Sequence, residues 1–277
     1  MTRVLFSMLL LASPLGCVEE GPEPIYDDDL GLQAVATDDG ALAGTWGMKV
    51  VNLATAELPL IGEQITGNES YLLVDRSWDG TAYSETHTLC GGRVYDTDAT
   101  SSFIATDTYQ AVGGGAPASV DVDHALGTYA AHDYVELWGL RDLPDAIDTE
   151  LPVDGAEAQQ PPHAERIYDV DGDGHPGATM TVSGALVGDV YFVQRKVHQY
   201  EGLVVSADEI IGLLTWTKEQ ITLDSDNPLL TTNLEQVVHP DPKEQWFQEV
   251  RLDGVTDCDG LLDAVDDETI ARLRPFD

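Results

Sequence analysis

The sequence predicts an all-β protein, either an antiparallel β-barrel or a β-sandwich of eight to ten strands, with a short C-terminal helix. Two observations predict this fold class. From Gly44 onward, apolar and polar residues alternate with a period of two, which is the period of a strand with one buried face. The alternating runs are short, follow one another along the chain, and are separated by Gly, Asp and Asn. Such spacing is typical of antiparallel barrels and sandwiches.

The first 16 residues, MTRVLFSMLLLASPLG, have the composition of a signal peptide. Arg3 is the only charge, and the apolar run from Val4 to Ala12 is too short to span a bilayer. Cys17 follows directly, and this arrangement resembles the lipobox of bacterial lipoproteins. The resemblance implies an exported protein whose diacylated Cys17 anchors it in a membrane of the cell envelope. An ordinary secretory signal is the alternative, and it predicts export as well.

Residues 17–43 are predicted to form an acidic flexible tether. After Cys17 this stretch holds two Pro, several Gly and eight acids without clean periodicity, so self-repulsion should extend it. Val18 follows the cysteine, and in well-studied lipoproteins a residue other than Asp at this place favours the outer membrane.

A single β-domain is predicted over residues 44–277. It includes a hairpin over 69–90, turned by Trp78-Asp79-Gly80 because Asp-Gly tolerates the positive φ of a tight turn. One bent strand or two are predicted over 119–140, with Gly127 as the kink. The remaining strands are predicted over 45–53, 178–186, 189–200, 209–223 and 244–252.

Two long loops and one helix complete the predicted domain. The loop over 106–118 is predicted from its Gly-rich segment, and the loop over 141–163 from its Pro-rich, acidic composition. At the C-terminus, Asp259 is predicted to cap a helix over 260–274 that ends before Pro275.

Gly44-Thr45-Trp46 on the first predicted strand is similar to the GxW motif of lipocalins, eight-stranded up-and-down barrels that hold a small apolar ligand. In that family an Arg on the closing strand packs over the Trp, and the resemblance implies this role for Arg251, through a cation–π contact. The second motif of the family, Thr-Asp-Tyr, has no match at the corresponding place. The alternative is that Trp46 is an ordinary core residue.

The chain has three cysteines, an odd number for an exported protein. Lipidation of Cys17 leaves Cys90 and Cys258 as a pair, which predicts a disulfide formed in an oxidising compartment. The bridge closes a loop of roughly 170 residues, and in the chain-entropy model it stabilises the fold by about 4–5 kcal/mol. Two free buried thiols are the alternative.

The loop YDVDGDGHPGATM, residues 168–180, carries acids at alternate positions. Asp169, Asp171 and Asp173 are followed by Gly174, so three carboxylates face the inside of one tight turn. The loop resembles the DxDxDG loops of EF-hand, dockerin and thrombospondin type 3 proteins. The resemblance implies one Ca²⁺ site, with the backbone carbonyl of His175 as a fourth ligand. A bare acidic turn is the alternative.

This loop departs from an EF-hand at its end, because Met180 stands where the bidentate Glu would be. The remaining oxygens must come from water or from another segment, and Asp189 and Glu165 are candidates by proximity along the chain. With few protein oxygens, we expect a weak site of the 10⁻⁴–10⁻³ M class.

The chain carries 50 Asp+Glu against 13 Lys+Arg, a formal net charge of -37 that disfavours nucleic acid and bare anionic lipid surfaces as partners. HExxH, GxSxG and P-loop motifs are absent from the sequence. The sequence therefore predicts a non-enzymatic binding or structural module of the cell envelope, whose ligand is unknown or a small apolar molecule. The alternative is a secreted or envelope hydrolase with a calcium-stabilised fold.

Overall fold

A computed structural model describes residues 32–58, 62–95, 99–233 and 236–266. In these ranges no helix is long and apolar enough to cross a membrane. The strands are β1 (Gly44–Leu58), β2 (Gly62–Trp78), β3 (Tyr83–Val94), β4 (Thr100–Phe103), β5 (Ala118–Asp123), β6 (Thr128–Trp138), β7 (Ala178–Gly184), β8 (Gly188–Ser206), β9 (Glu209–Ser225), β10 (Gln236–Val238) and β11 (Gln245–Arg251). The α-helices are α1 (Thr106–Val112), α2 (Gly155–Ala158), α3 (His163–Arg166) and α4 (Cys258–Asp266).

The strands form one antiparallel sheet that closes into a ring. The ring runs β1–β2–β3–β5–β6–β8–β9–β11 and returns to β1, while β7 and β4 extend the sheet beside β8 and β10 pairs with β1. The predicted all-β antiparallel architecture is confirmed, and the barrel describes it better than the sandwich. We call the end of the ring where β1 begins the lower end, and the end where β1 finishes the upper end.

The ring is not evenly closed. Strands β3 and β5 pair only over Tyr83–Glu85, so the upper half of β3 has no ladder with β5. Helix α1 lies beside this half of β3 and buries Tyr109 there. Residues 106–118 were predicted to be a loop, and the prediction is wrong for the first part of that segment. The reason is that Thr108 and Tyr109 are buried, and this tertiary packing stabilises a single helical stretch of seven residues.

The lower end is closed by packing around Trp46. The Trp46 ring is buried, and the guanidinium of Arg251 lies 4.3 Å from its centroid, as the sequence predicted. Arg251 also donates hydrogen bonds to the carbonyl oxygens of Ala41 and Ala43 at 2.7 and 2.8 Å. Arg251 lies on β11, the last strand of the ring along the chain, and Trp46 lies on β1, the first. This contact therefore links the first and last strands at the lower end.

Residues 35–43 also belong to this closure. The Val35 N–H donates to the Val204 carbonyl at 2.8 Å, and Leu42 is 1% exposed. The sequence placed these residues in a solvated tether up to position 43. That boundary is wrong, because the apolar side chain of Leu42 is buried in the barrel core despite its acidic neighbours. The rest of the predicted tether, with the signal peptide and Cys17, lies outside the described residues.

Helix α4 packs on the outside of the barrel. Leu261 forms an apolar cluster with Leu73, Cys90 and Leu252. The helix begins at Cys258, and Asp257 rather than the predicted Asp259 caps it, accepting a hydrogen bond from Gly260 N–H at 2.9 Å. The predicted helix over 260–274 is confirmed as far as position 266, beyond which the structure is not described.

Candidate functional site

The upper end of the barrel encloses a cavity of about 120 Å³. Leu229, which is 48% exposed, lies in the lining, so the cavity reaches the surface. Most of the wall is apolar, formed by Val94, Ile104, Tyr109, Trp138, Met180, Val182, Leu186, Val190, Phe192 and Leu230.

Polar side chains line the inner part of the cavity. They include Asn68, Gln194, Lys196 and Lys218. Elsewhere in the lining, further polar residues stand among the apolar ones: Gln64, Thr66, Thr100, Ser102, Gln220, Thr222, Thr232 and Gln236. Strand β8 runs inward from Gly188 at the upper end, so Lys196 lies deeper in the barrel than Val190 on the same strand. The cavity therefore has a mixed upper wall, with many apolar and aromatic side chains, and a polar base that carries two lysines.

Lys196 and Lys218 are direct partners in the ladder between β8 and β9. Lys196 Nζ donates to Asn68 Oδ1 at 2.8 Å, and Lys218 Nζ donates to Gln236 Oε1 at 2.7 Å. Burial lowers the pKa of Lys196, and the charge of Glu136 offsets this in part. Burial also lowers the pKa of Lys218 well below its usual value, and the nearby Lys196 charge lowers it further.

An ion cluster fills the barrel interior below the cavity. Arg76 donates to the carboxylates of Glu85 and Glu249, and the Tyr129 hydroxyl donates to the same two carboxylates at 2.9 and 3.1 Å. All four side chains are buried. Burial would raise the pKa of Glu85, but Arg76 lowers it to about 2. Burial raises the pKa of Glu249, and Arg76 offsets that rise only in part.

Two histidines lie inside the barrel near this cluster, and both are buried. His87 Nε2 lies 2.8 Å from the Glu85 carboxylate. His198 Nε2 lies 3.8 Å from Glu136 Oε1, which is longer than a hydrogen bond. Burial lowers the pKa of His198 well below its usual value, and Lys196 and His87 lower it further. His198 is therefore neutral in the folded protein near pH 7.

The acidic loop predicted from the sequence lies between α3 and β7. A short parallel bridge joins Asp169 to Gly177, and the Val170 N–H donates to the Gly177 carbonyl at 3.0 Å. Gly177 has φ +93°, and a Cβ there would lie 2.4 Å from the Phe192 carbonyl oxygen. Only glycine fits this place, so the loop closes tightly against β8.

The structure brings the three predicted carboxylates together. Asp169, Asp171 and Asp173 each offer an oxygen, and these atoms lie within 4.8 Å of one another. Such a group can hold a metal ion. The pKa of Asp171 is raised by its partial burial and by the charge of Asp173, so a cation among these oxygens would relieve both effects.

Backbone N–H groups hold the carboxylates in place. Asp169 accepts from the N–H of Gly172 at 2.7 Å and of Gly174 at 2.9 Å. Slight burial would raise the pKa of Asp169, but these two bonds lower it. Asp173 accepts from the Thr179 hydroxyl at 2.6 Å. The loop is thus ordered by its own polar groups.

The loop is connected to the wall of the cavity. Asp171 Oδ2 accepts hydrogen bonds from Thr179 N–H at 2.8 Å and from the Thr108 hydroxyl at 3.4 Å. The next residues along the chain, Met180 and Tyr109, both line the cavity. One carboxylate therefore joins two elements, β7 and α1, that form part of the cavity wall.

The other predicted ligands lie outside the carboxylate group. The His175 ring stacks on Tyr191 with centroids 3.9 Å apart, and whether its carbonyl binds a metal stays a prediction. Asp189 accepts a hydrogen bond from the Thr181 hydroxyl at 2.7 Å, on the β7–β8 hairpin. Glu165 lies on α3. Among the described residues, the structure does not bring Asp189 or Glu165 into the group.

The predicted disulfide is present. Cys90 and Cys258 are bonded, with their Cα atoms 4.9 Å apart. The bridge joins β3 to the start of α4, and so holds the helix on the outer face of the barrel.

Sequence reasoning missed the cavity lysines and the ion cluster. A signal was present, because Lys196, His198 and Tyr200 alternate along one strand and share its inward face with Phe192. Charged residues that share one face of a strand with large aromatic residues are expected to be buried with them.

Comparisons of this chain with protein-family models, with curated proteins and with solved structures found no match.

Proposed function

We propose that this protein is an envelope-located binding module that holds a small, largely apolar ligand inside its barrel. The cavity carries this proposal. It reaches the surface, and many apolar and aromatic side chains line it together with polar ones, which is the usual composition of a small-molecule site.

The residues that line the cavity favour a binding function over the hydrolase alternative. Hydrolysis by paired carboxylates requires two acids that converge on the ligand. Among the described residues that line the cavity there is no Asp or Glu, although the chain has 50 of them. The buried Glu85 and Glu249 are occupied by Arg76 deeper in the barrel.

A pair of substitutions on one strand tests the proposal. Thr66 lines the cavity, whereas its neighbour Ile65 points outward and is 55% exposed. We expect the neutral apolar dye N-phenyl-1-naphthylamine to bind with enhanced fluorescence, Thr66→Trp to weaken binding at least ten-fold, and Ile65→Trp to leave it unchanged. No saturable binding, or equal binding by both variants, would refute the cavity as the site.

We further propose that the acidic loop binds Ca²⁺ as a structural ion. The support is the arrangement of Asp169, Asp171 and Asp173, since clustered carboxylate oxygens are the ligands that Ca²⁺ prefers. Thiolate and paired histidine ligands, which zinc prefers, do not accompany this group in the described part of the chain. By fixing Asp171, the ion stabilises β7 and α1 at the cavity wall.

Thermal melts of residues 18–277 with EDTA, Ca²⁺ or Mg²⁺ test the calcium site. At about 100 times its Kd, Ca²⁺ adds roughly 2.7 kcal/mol, or about 5–10 °C in Tm for a domain of this size. We expect Asp171→Asn with Asp173→Asn to abolish this shift. Asp253→Asn with Asp259→Asn, which removes two exposed charges elsewhere, should retain it. An equal shift with Mg²⁺ in all three proteins would show charge screening only.

For location, we propose export and a lipid anchor at Cys17, probed by acyl labelling. The disulfide supports export, because such bonds form in oxidising compartments. We expect Cys17→Ser to abolish labelling with an alkyne fatty acid and to release the protein from membranes. Labelling that survives this substitution would contradict the anchor.

A further inference from the structure

Basic side chains are concentrated at the cavity, although the chain as a whole is strongly acidic. The formal net charge is -37, and the chain has only four lysines. Two of these four, Lys196 and Lys218, line the cavity. The lining contains no Asp or Glu among the described residues. The described cavity lining therefore carries basic residues and no acid, whereas the chain as a whole is acidic.

The side-chain amino groups of Lys196 and Lys218 lie close enough together to bind the same group of a ligand. Directly paired residues of an antiparallel ladder have Cα atoms about 4.5–5.5 Å apart, and both side chains line the same cavity. An ammonium group has three donors, and the structure shows Lys196 donating to Asn68 and Lys218 donating to Gln236. Each lysine therefore retains donors for a ligand.

The charge of this lysine pair is incompletely balanced inside the protein. Glu136, the ladder partner of Lys196 on β6, is the carboxylate whose charge acts on Lys196. The pKa of Lys218 is lowered by burial and by Lys196. Because buried cations are costly unless they are paired, an anion that enters the cavity is favoured by both lysines.

Resting on the proposed binding function, we infer that the ligand is a single-chain anionic amphiphile. Its anionic head group lies between Lys196 and Lys218, and its apolar chain lies along the wall that includes Trp138, Met180 and Phe192. The cavity measures about 120 Å³ and opens to the surface beside Leu229, so a chain longer than the cavity can extend into the opening.

A series of ten-carbon ligands tests this inference on the unmodified protein. Decanoate, 1-decanol and decylammonium share one apolar chain and differ in head-group charge. Calorimetric titration below their aggregation concentrations should give decanoate a Kd at least ten-fold lower than that of 1-decanol, and decylammonium the weakest binding. Equal affinity for decanoate and 1-decanol would overturn the anionic assignment and leave the proposed binding function intact. Failure of all three to bind would overturn both.

Lysine variants locate the selectivity. We expect Lys196→Gln and Lys218→Gln each to reduce the preference for decanoate over 1-decanol at least five-fold, while the affinity for 1-decanol stays within about two-fold. That unchanged affinity shows that each variant is folded. Lys243→Gln removes the same charge outside the cavity lining and should keep the full preference. An undiminished preference in both cavity variants, or an equal loss in Lys243→Gln, would overturn the assignment.

Discussion

Arg76 lies between Glu85 and Glu249, with its guanidinium 4.9 Å from the centroids of the Trp46 and Tyr129 rings. Its charge is what allows two carboxylates to stay buried side by side. Removing one partner of a buried ion pair leaves an uncompensated charge, which costs far more than the pair contributes.

We therefore predict that Arg76→Met lowers the free energy of unfolding by about 3–5 kcal/mol. Adding Glu249→Gln to it should restore part of the loss, because one of the two unpaired carboxylates is then removed. Urea unfolding of the single and double variants measures both effects. If the two substitutions lowered the free energy of unfolding additively in the double variant, the cost of burying Glu249 would not depend on Arg76.

His198 makes the stability depend on pH. Its folded pKa is lowered by burial, by Lys196 and by His87, whereas the unfolded chain takes up a proton near pH 6.5. Below that pH the unfolded state binds one more proton than the folded state, so the free energy of unfolding falls as the pH falls. The limiting slope is about 1.4 kcal/mol per pH unit for one histidine.

His198→Asn should remove this slope between about pH 6.5 and 5.5, measured by urea unfolding at each pH. His239→Gln, which changes a histidine outside the barrel interior, should retain it. If the slope in His198→Asn matched that of the unmodified protein, His198 would not be the neutral buried group inferred from its surroundings.

At the scale of elements, the disulfide joins β3 to α4 across 168 residues of sequence. Closing so long a loop restricts the unfolded chain, and the chain-entropy model gives about 4–5 kcal/mol. We predict that Cys90→Ser with Cys258→Ser lowers the free energy of unfolding by about this amount. Reducing the unmodified protein should cause the same loss in a denaturant titration. A double variant as stable as the oxidised protein would contradict the prediction.

Strands with strong alternation could be predicted from the sequence, because their pattern is local. Strands β1, β6, β8 and β9 are long and were predicted at least in part, whereas β4 (Thr100–Phe103) and β10 (Gln236–Val238) are short and were missed. These two short strands form by pairing with β7 and β1, and that partnership leaves no periodic signal in their own residues.

The residues of the candidate site also fall into two groups, those that a local sequence pattern predicts and those that it does not. Asp169, Asp171 and Asp173 are two positions apart, so their convergence could be predicted from spacing alone. Lys196 and Lys218 are brought together only by the register of β8 against β9. Non-local pairing of this kind cannot be read from composition or from a short motif.

At the scale of the whole molecule, the acidic loop, the cavity and the ion cluster lie in one barrel. The ion cluster fills the interior below the cavity, and the loop is joined to the cavity wall through Thr108 and Thr179. The lower end is closed by Trp46 and Arg251, so a ligand has to enter from the upper end. Because the two ends of the barrel differ in this way, a probe at the upper end can report whether a ligand lies inside.

Methyl NMR of methionine gives the most direct measurement. Residues 18–277 contain two methionines: Met180 lines the cavity, and Met48 is fully buried in the core and outside the cavity lining. In a decanoate titration, we predict a saturable shift of the Met180 ¹³C-methyl signal, little change at Met48, and loss of the Met180 shift in Thr66→Trp. Assignment comes from Met180→Leu. A Met180 signal that does not move, or that moves unchanged in Thr66→Trp, would contradict a ligand site inside the barrel.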